Sequence, residues 1–380
     1  MTITNTYVDV HVLHSVPPSN PNRDDTGTPK HAQYGGARRA RVSSQAWKRA
    51  TRVAMANDGT QPESARSTRT KRIGALVAAR LVEVSGIGAE DAVRITNALL
   101  ATLHITPGRR TSETAYLLYF GLSQVDRIVE LVADRAAELA MLDDARLTAA
   151  VAPMDVRARL GTGHPVDVAL FGRMIAQVPQ LNVDAAVQVA HALSTHRVQV
   201  EFDFYTAIDD EKSQAEGTGA EMMDAVEFHS ALYYRFASVG MNQLIENLDG
   251  DASAGLRAVQ QFLPAFVKSL PSGRQNSFAH HTPPFLASVA VRECPVNLVS
   301  AFEQPVQSGD GLALESAVRL AAAYAEVRDV WGYPAIGVSS TYPVAHAGRL
   351  QSALGAPLSF RDVVSGVLGQ LAERQWVHDA

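Results

Sequence analysis

The chain has 380 residues, 46% of them hydrophobic and 19% charged, with a single cysteine, Cys294. This is the composition of a globular protein with a core; it excludes an intrinsically disordered chain, an internal disulfide framework and a multi-cysteine metal site. Net charge is −5, yet residues 1–72 hold 12 Lys+Arg against 5 Asp+Glu, so a segment of +7 sits on a remainder of −12, a directed electrostatic footprint for a polyanion.

Residues 6–14 alternate and are β-branched-rich, predicting a strand with Tyr7, Asp9 and His11 on one face and Val8, Val10 and Val12 on the other. His11 and His14 read as hydrogen-bonded structural histidines rather than metal ligands. Residues 15–34, with Pro17-Pro18, Asn20-Pro21 and Pro29, predict a loop. Its Asn22-Arg23-Asp24-Asp25 offers two carboxylates; turn chemistry or pairing with Arg23 explains them more simply than a divalent metal. The stretch from Gly35 to Arg52 then packs a glycine pair and six cations together with no acid. Glycines let the backbone turn sharply or approach a partner closely. Ser43 or Ser44 caps the helix that follows, on which Lys48 and Arg52 share a face. Backbone N–H groups at a helix start, hydroxyls and cations suit an oxyanion such as phosphate; the plainer reading is a solvated basic face.

Residues 58–72 read as loose and polar. Helical spacing predicts helices over Ile73–Val84, Ala89–Leu103, Glu113–Leu122 and Gln124–Met141, the last capped by Ser123, so 73–160 reads as a helical insertion. Residues 164–174 predict a strand, and Asn182 a cap for a helix over 183–194. His191 and His196 are badly spaced for a shared helical metal site. Val198–Ile208 alternates, with Val198, Val200, Phe202 and Phe204 on one side. With the extended run Glu227–Val239 it encloses the polar tip 209–219, which predicts a long projecting hairpin. Met222 and Met223 near the tip read as contact residues or as local packing. Helices over 241–248, 253–269 (kinked or broken at Pro264), 312–330 and 359–372, with strands over 285–293 and 334–342, complete an α+β chain. Ser359 caps the last helix, with Asp362 at the third position.

No phosphate-binding loop, dinucleotide fingerprint, nucleophile elbow or zincin motif is present. Asp249-Gly250-Asp251-Ala252-Ser253 starts like a calcium loop, but Gln260 stands where the bidentate glutamate belongs, so helix capping is expected. No apolar run reaches about 18 residues, and no basic segment followed by an apolar one opens the sequence; a cytoplasmic, non-enzymatic protein without cofactor or metal is expected.

Several blocks together resemble one family. They are Asn22-Arg23-Asp24-Asp25, the Gly-Gly-x-Arg-Arg-x-Arg-Val-Ser-Ser-Gln-x-x-Lys-Arg run at 35–49, Val-Asp-x-Ala-Leu-x-Gly-Arg-Met at 166–174, Ala190-His191-Ala192 with Thr195-His196, and the run from Phe204 to Asp210. They resemble the CasC (CT1975-like) backbone subunits of the type I-E CRISPR surveillance complex, Cascade. The resemblance implies a modified RNA-recognition-motif (ferredoxin-like) palm with a helical fingers insertion and a β-hairpin thumb. The palm would comprise 1–58, 164–198 and 236–380, the fingers 59–163 and the thumb 199–235. Copies would oligomerise along a CRISPR RNA, with other Cascade subunits as partners and target DNA met through the guide. By position, Arg23, Lys30, Arg38, Arg41, Ser43, Gln45, Lys48 and Arg52 would face the guide backbone, holding phosphates without reading sequence. Met174 would wedge against bases, and Tyr205 and Met223 would pack where a base is displaced. Ala37 stands where relatives commonly carry Lys, segment 301–308 has glutamines where lysines are expected, and the thumb tip is a few residues longer. The competing enzymatic reading is a metal-dependent ribonuclease using Asp24 or Asp25, and a third is a helical scaffold with an incidental basic face.

Overall fold

The computed structural model describes residues 5–59, 67–105, 113–115, 117–207, 222–307, 309, 311–374 and 376. β1 (Tyr7–Ser19) runs through Pro17-Pro18, so the loop expected over 15–34 starts five residues later, and it ends at residue 30 because 31–34 form a strand. Proline lacks a donor but keeps an extended-compatible φ, and it is tolerated toward a strand end. β2 (His31–Tyr34) and β3 (Ala37–Val42) form a hairpin that leads into α1 (Ser44–Asn57).

β4 (Ser67–Thr70), α2 (Ile73–Ser85) and α3 (Ala89–Ala101) follow. The helix expected over 113–122 is instead β5 (Leu118–Gly121), antiparallel to β4. Every β5 residue is buried, and a strand buried on both faces loses the alternation that distinguishes it from a helix. The single helix expected over 124–141 is two, α4 (Leu122–Val129) and α5 (Ala136–Ala140). Ser123 is not the cap: Gln124 Oε1 accepts from the Gly121 N–H at 2.9 Å, starting α4 earlier. α6 (Asp144–Val151) and α7 (Val156–Gly161) are capped by Asp143 and Asp155.

Two further expectations invert. Residues 164–174 hold α8 (Val166–Phe171), not a strand; Val168, Ala169 and Leu170 are its buried side, and three adjacent positions fit one helical turn as well as they fit a strand. Residues 183–194 hold β6 (Val187–Val189) and β7 (Ala192–Ser194), not a helix, and Asn182 Oδ1 accepts from the Ile175 N–H instead of capping. The alanines favour helix, but β7 finds strand partners on both sides, and that tertiary pairing overrides propensity.

β8 (Glu201–Ala207) and β9 (Met222–Gly240) pair antiparallel, with Tyr205 opposite Asp224 and Thr206 opposite Met223. The tip expected at 209–219, Ile208 and the Met222 and Met223 side chains lie outside the described residues. α9 (Met241–Asn247) and α10 (Ala252–Lys268) come next. Asp251 Oδ1 accepts from the Ala254 N–H at 2.9 Å, which is helix capping, as expected. α10 continues through Pro264 without a break, because Val259, Phe262, Leu263, Phe266 and Val267 bury its apolar side. Then come α11 (Gln275–Phe278), β10 (Leu286–Arg292), α12 (Leu312–Asp329), β11 (Gly337–Thr341), α13 (Ala347–Leu354), which no sequence signal announced, and α14 (Phe360–Ala372) with its Ser359 cap.

These elements make two compact units, one of Met1–Met55, Val189–Ser238 and Val259–Gln375, the other of Ala56–Gln188, Val239–Ala258 and Trp376–Ala380. In the first, the sheet runs β11-β10-β1-β9-β7-β3-β2, with β8 also on β9. One cluster on it gathers Leu13, Phe302, Leu320, Tyr324 and Leu350; another gathers Val16, Val42, Trp47, Tyr233 and Leu270. His11 and His14 are buried inside this unit. His11 Nδ1 bonds the Tyr234 hydroxyl at 2.9 Å, and His14 Nδ1 accepts from Arg235 Nη1 at 3.0 Å. Burial holds His11 well below its usual pKa and, with Arg235 beside it, pushes His14 down to about 3. The second unit has its own core, including Ile73, Leu81, Ile95, Leu99, Ile128 and Leu139, each such side chain contributing roughly 1.5–3 kcal/mol on burial. Among the described residues no helix is long and apolar enough to cross a membrane.

Candidate nucleic-acid interface

The basic run divides by strand geometry. Tyr34 pairs with Ala37 across Gly35-Gly36, whose φ values are +56° and +69°. Left-handed geometry at both central residues is the two-residue hairpin turn that matches strand twist. A Cβ on Gly35 would also sit 1.6 Å from the Glu303 carbonyl oxygen. Beyond the turn the cations differ in burial: Arg38 is exposed, Arg39 fully buried and Arg41 half-buried, with Ala40 buried between the last two. Arg39 donates to the carbonyls of Tyr34 (3.2 Å), Ser194 (2.9 Å), Phe302 (2.8 Å) and Glu303 (2.9 Å). It is a structural clamp, while its neighbours remain at the surface. Ala37 is buried at 2% exposure, at the position where a cation was expected.

The loop and the helix bring further cations to the same unit. The Ser43 N–H donates to Asn22 Oδ1 at 2.9 Å, and Ser43 Oγ caps α1 by accepting from the Ala46 N–H. Lys30 joins through backbone bonds to Asn22 and Arg41. On α1, Trp47, Thr51 and Met55 face inward. The buried Arg235 guanidinium lies 3.7 Å from the Trp47 ring centroid and also donates to the Phe266 and Val267 carbonyls; burial lowers its pKa to about 9. With the inner face so pinned, Gln45 and Arg49 are exposed and Lys48 and Arg52 half-buried; burial lowers the Lys48 pKa.

Asp24 does turn chemistry. Its Oδ1 accepts from the Thr26 N–H, the Thr26 hydroxyl and the Thr28 N–H at 3.0, 2.7 and 3.0 Å. These bonds, the Thr26 hydroxyl foremost, lower its pKa. Among the described residues no three His, Cys, Asp or Glu side chains gather to hold a metal ion.

Two clefts adjoin these cations. One of ≈ 540 Å³ is lined by Arg23, Arg49, Arg274, Gln275 and His281, among others. Sequence reading missed Arg274; its signal was the polar, glycine-containing run Ser272-Gly273-Arg274-Gln275-Asn276. Gly273 is needed there, since a Cβ would meet the Pro21 carbonyl oxygen at 2.4 Å. The other cleft, ≈ 710 Å³, is lined by Gln33, Gly36, Arg38, Arg197, Gln199 and Phe202. Phe202 and Phe204 are 59% and 73% exposed, and Tyr205 42%, so β8 presents aromatic rings on a strand that projects polar and apolar groups alike to its surface. The 301–308 segment starts in a short 3-10 turn that buries Phe302, and the Gln304 carbonyl accepts from Arg319; Ser308 lies outside the described residues.

Met174 belongs to the second unit. Arg173 beside it is buried and donates to the carbonyls of Leu181 (2.6 Å), Tyr119 (3.3 Å) and Leu160 (2.9 Å), its pKa lowered by burial to about 10. Gly172 admits no Cβ, which would come within 2.7 Å of the Val183 carbonyl oxygen. The Gly-Arg-Met triplet is therefore a backbone clamp that leaves Met174 86% exposed on a rigid support.

The family model for CT1975-like proteins matches residues 8–365. A chain from a solved CRISPR RNA-guided surveillance complex in a pre-nicking state is similar at 33% identity and TM-score 0.80, covering 96% of this chain and 100% of that one. A chain from another CRISPR RNA-guided surveillance complex shares 28% identity with TM-score 0.70 over 96% and 99%. No curated protein matches.

Proposed function

The chain belongs to the CT1975-like family, and from that premise we propose that this component of a Cascade-type CRISPR complex is its guide-binding backbone subunit. Copies bind a type I-E CRISPR RNA side by side, holding its phosphates through Arg23, Lys30, Arg38, Arg41, Ser43, Gln45, Lys48 and Arg52. Met174, Tyr205 and Met223 shape the bases so that short runs face target DNA. The first unit contributes an RNA-recognition-motif-like palm and the β8–β9 thumb, and the helical second unit the fingers. The protein performs no chemistry of its own and works in the cytoplasm with other Cascade subunits.

One observation carries this reading. In the second unit, Arg80, Arg94 and Arg135 are each paired with a nearby carboxylate. In the first, Arg23, Lys30, Arg38, Arg41 and Lys48 form no ion pair with a described acid; the partners of Arg38 and Arg41 are imidazoles and carbonyls. Clustered cations without acid partners repel one another and set up a field that a polyanion relieves, and phosphate contacts of this kind hold any sequence. A base-pairing guide needs that indifference, because pairing does the reading.

The test is light scattering of the purified chain mixed with guide-length single-stranded RNA. An RNA-dependent oligomer whose affinity falls steeply with salt and barely with sequence is expected; a mixture that stays monomeric refutes the reading. Regularly spaced cuts in complementary RNA with Mg²⁺, lost on Asp24→Ala, would replace it with the ribonuclease.

A further inference from the structure

Two histidines lie inside the cation cluster and have no part in the function above. On β2, His31 Nδ1 accepts from Arg38 Nη2 at 3.3 Å. Just before β7, His191 Nδ1 accepts from Arg41 Nη1 at 3.1 Å. Both rings are exposed. Arginine only donates, so both contacts need a neutral imidazole.

We propose that His31 and His191 are additional phosphate-binding side chains that each take up a proton as the guide docks, so that RNA binding is linked to pH. This rests on reading the β2–β3 surface as guide-binding.

The surroundings set the sign. A second cation at hydrogen-bond distance from a guanidinium is disfavoured, and each ring lies at that distance from an arginine. For His191, burial comes first and Arg41 and Lys30 add to it in lowering the pKa. Arg197 lines the cleft beside Arg38; the acid on that cleft is Glu227. A phosphate reverses this balance. Its charge favours the imidazolium, and guanidinium and imidazolium then both donate to phosphate oxygens, which strengthens both contacts.

The neighbouring histidines are committed elsewhere. His196 bonds the Arg197 carbonyl through Nδ1 and accepts from the Leu232 N–H through Nε2. His229 is buried on the Tyr233 hydroxyl at 2.8 Å, and burial, with His196, Arg38 and His31 nearby, lowers its pKa to about 4. Both ring nitrogens of His196 and the Nε2 of His229 are thus already engaged within the protein, whereas His31 and His191 are exposed beside their arginines.

Fluorescence anisotropy of the full chain with labelled single-stranded RNA at pH 8 and pH 5.8, over a salt series, tests this. Wild type should bind roughly tenfold tighter at the lower pH for each unit by which phosphate raises a histidine pKa. Its log–log salt slope should steepen by about 0.7 per histidine. In His31→Gln/His191→Gln, where glutamine keeps an acceptor for each arginine, the pH difference should collapse. His31→Lys/His191→Lys should show the steeper slope at both pH values, which keeps the test alive if the glutamine pair folds poorly. Wild type binding equally at both pH values, or a glutamine pair that retains the pH dependence, overturns this proposal and leaves the guide-binding reading standing. RNA binding at neither pH overturns both.

Discussion

Arg38 and Arg39 are chemically identical neighbours, and the structure assigns them opposite consequences. Arg39→Ala removes donors from four carbonyls, those of Tyr34, Ser194, Phe302 and Glu303. Hydrogen bonds to a charged group contribute about 1.5–3 kcal/mol each, and a buried acceptor left unpaired costs about 1–3 kcal/mol. These terms do not add fully, since the β2–β3 hairpin and the segment after Phe302 relax together, so a loss of about 3–5 kcal/mol is expected. Arg38→Ala removes an exposed side chain and should change stability by less than about 0.5 kcal/mol. It should instead reduce the salt slope of RNA binding by about 0.7. Urea unfolding followed by fluorescence of Trp47, which is buried in the same unit, reads the first effect as a midpoint fall of about 1–2 M. Equal destabilisation by the two variants, or an Arg39→Ala protein as stable as wild type, would refute the division of labour along β3.

Other expectations are independent of that one. Gly35→Ala forces a side chain into left-handed geometry and against the Glu303 carbonyl; a loss of at least about 2 kcal/mol should appear in the same unfolding assay. Met174→Ala should leave stability within about 0.5 kcal/mol, because the side chain is 86% exposed, while chemical probing of bound RNA should show altered base exposure. Lys48→Glu should weaken RNA binding and flatten its salt dependence; unchanged binding would favour the incidental basic face. Stability should fall on acidification from pH 7 to 5. His14 and His229 have folded pKa values of about 3 and 4, below the unfolded value of about 6.5. The unfolded chain therefore binds more protons, and each histidine costs roughly 2 kcal/mol over that interval. Asp9 works the other way. Burial raises its folded pKa to about 6, against the bonds from Ser238 and Val296 and the charge of Arg292, so its contribution is present at low pH and lost as pH rises through 6. It returns roughly 1 kcal/mol, for a net loss of about 3 kcal/mol from these three groups. A urea midpoint that rises on acidification would contradict this balance.

Much of the site was readable from residues in sequence. Gly35-Gly36 announced a sharp turn or close approach, Ser43 or Ser44 a cap and Asp24 a turn carboxylate, because each depends on atoms within a few positions of one another; the strand at 31–34, read as loop, was missed because its partner is β3. Helices with clear apolar periodicity, such as α2, α3, α12 and α14, were legible for the same reason. The misread segments are those whose conformation depends on a distant partner. β5 is strand because β4 pairs with it, and β7 because β3 does; α8 and β7 were exchanged because short runs of Val, Ala and Leu fit either period.

Charge asymmetry, turn chemistry and helix starts are local properties, and they sufficed to place a cluster of cations near residues 23–52. Which cations belong to it is not a local property. Arg39 and Arg173 look like their neighbours in sequence, yet each ends among carbonyls brought from remote segments, at Ser194 and Phe302 for one and at Tyr119 and Leu160 for the other. A buried guanidinium needs several acceptors at once, and only the folded chain can gather them. Those clamps in turn leave Arg38, Arg41 and Met174 at the surface, and bring His31 and His191 within hydrogen-bond distance of the arginines they partner.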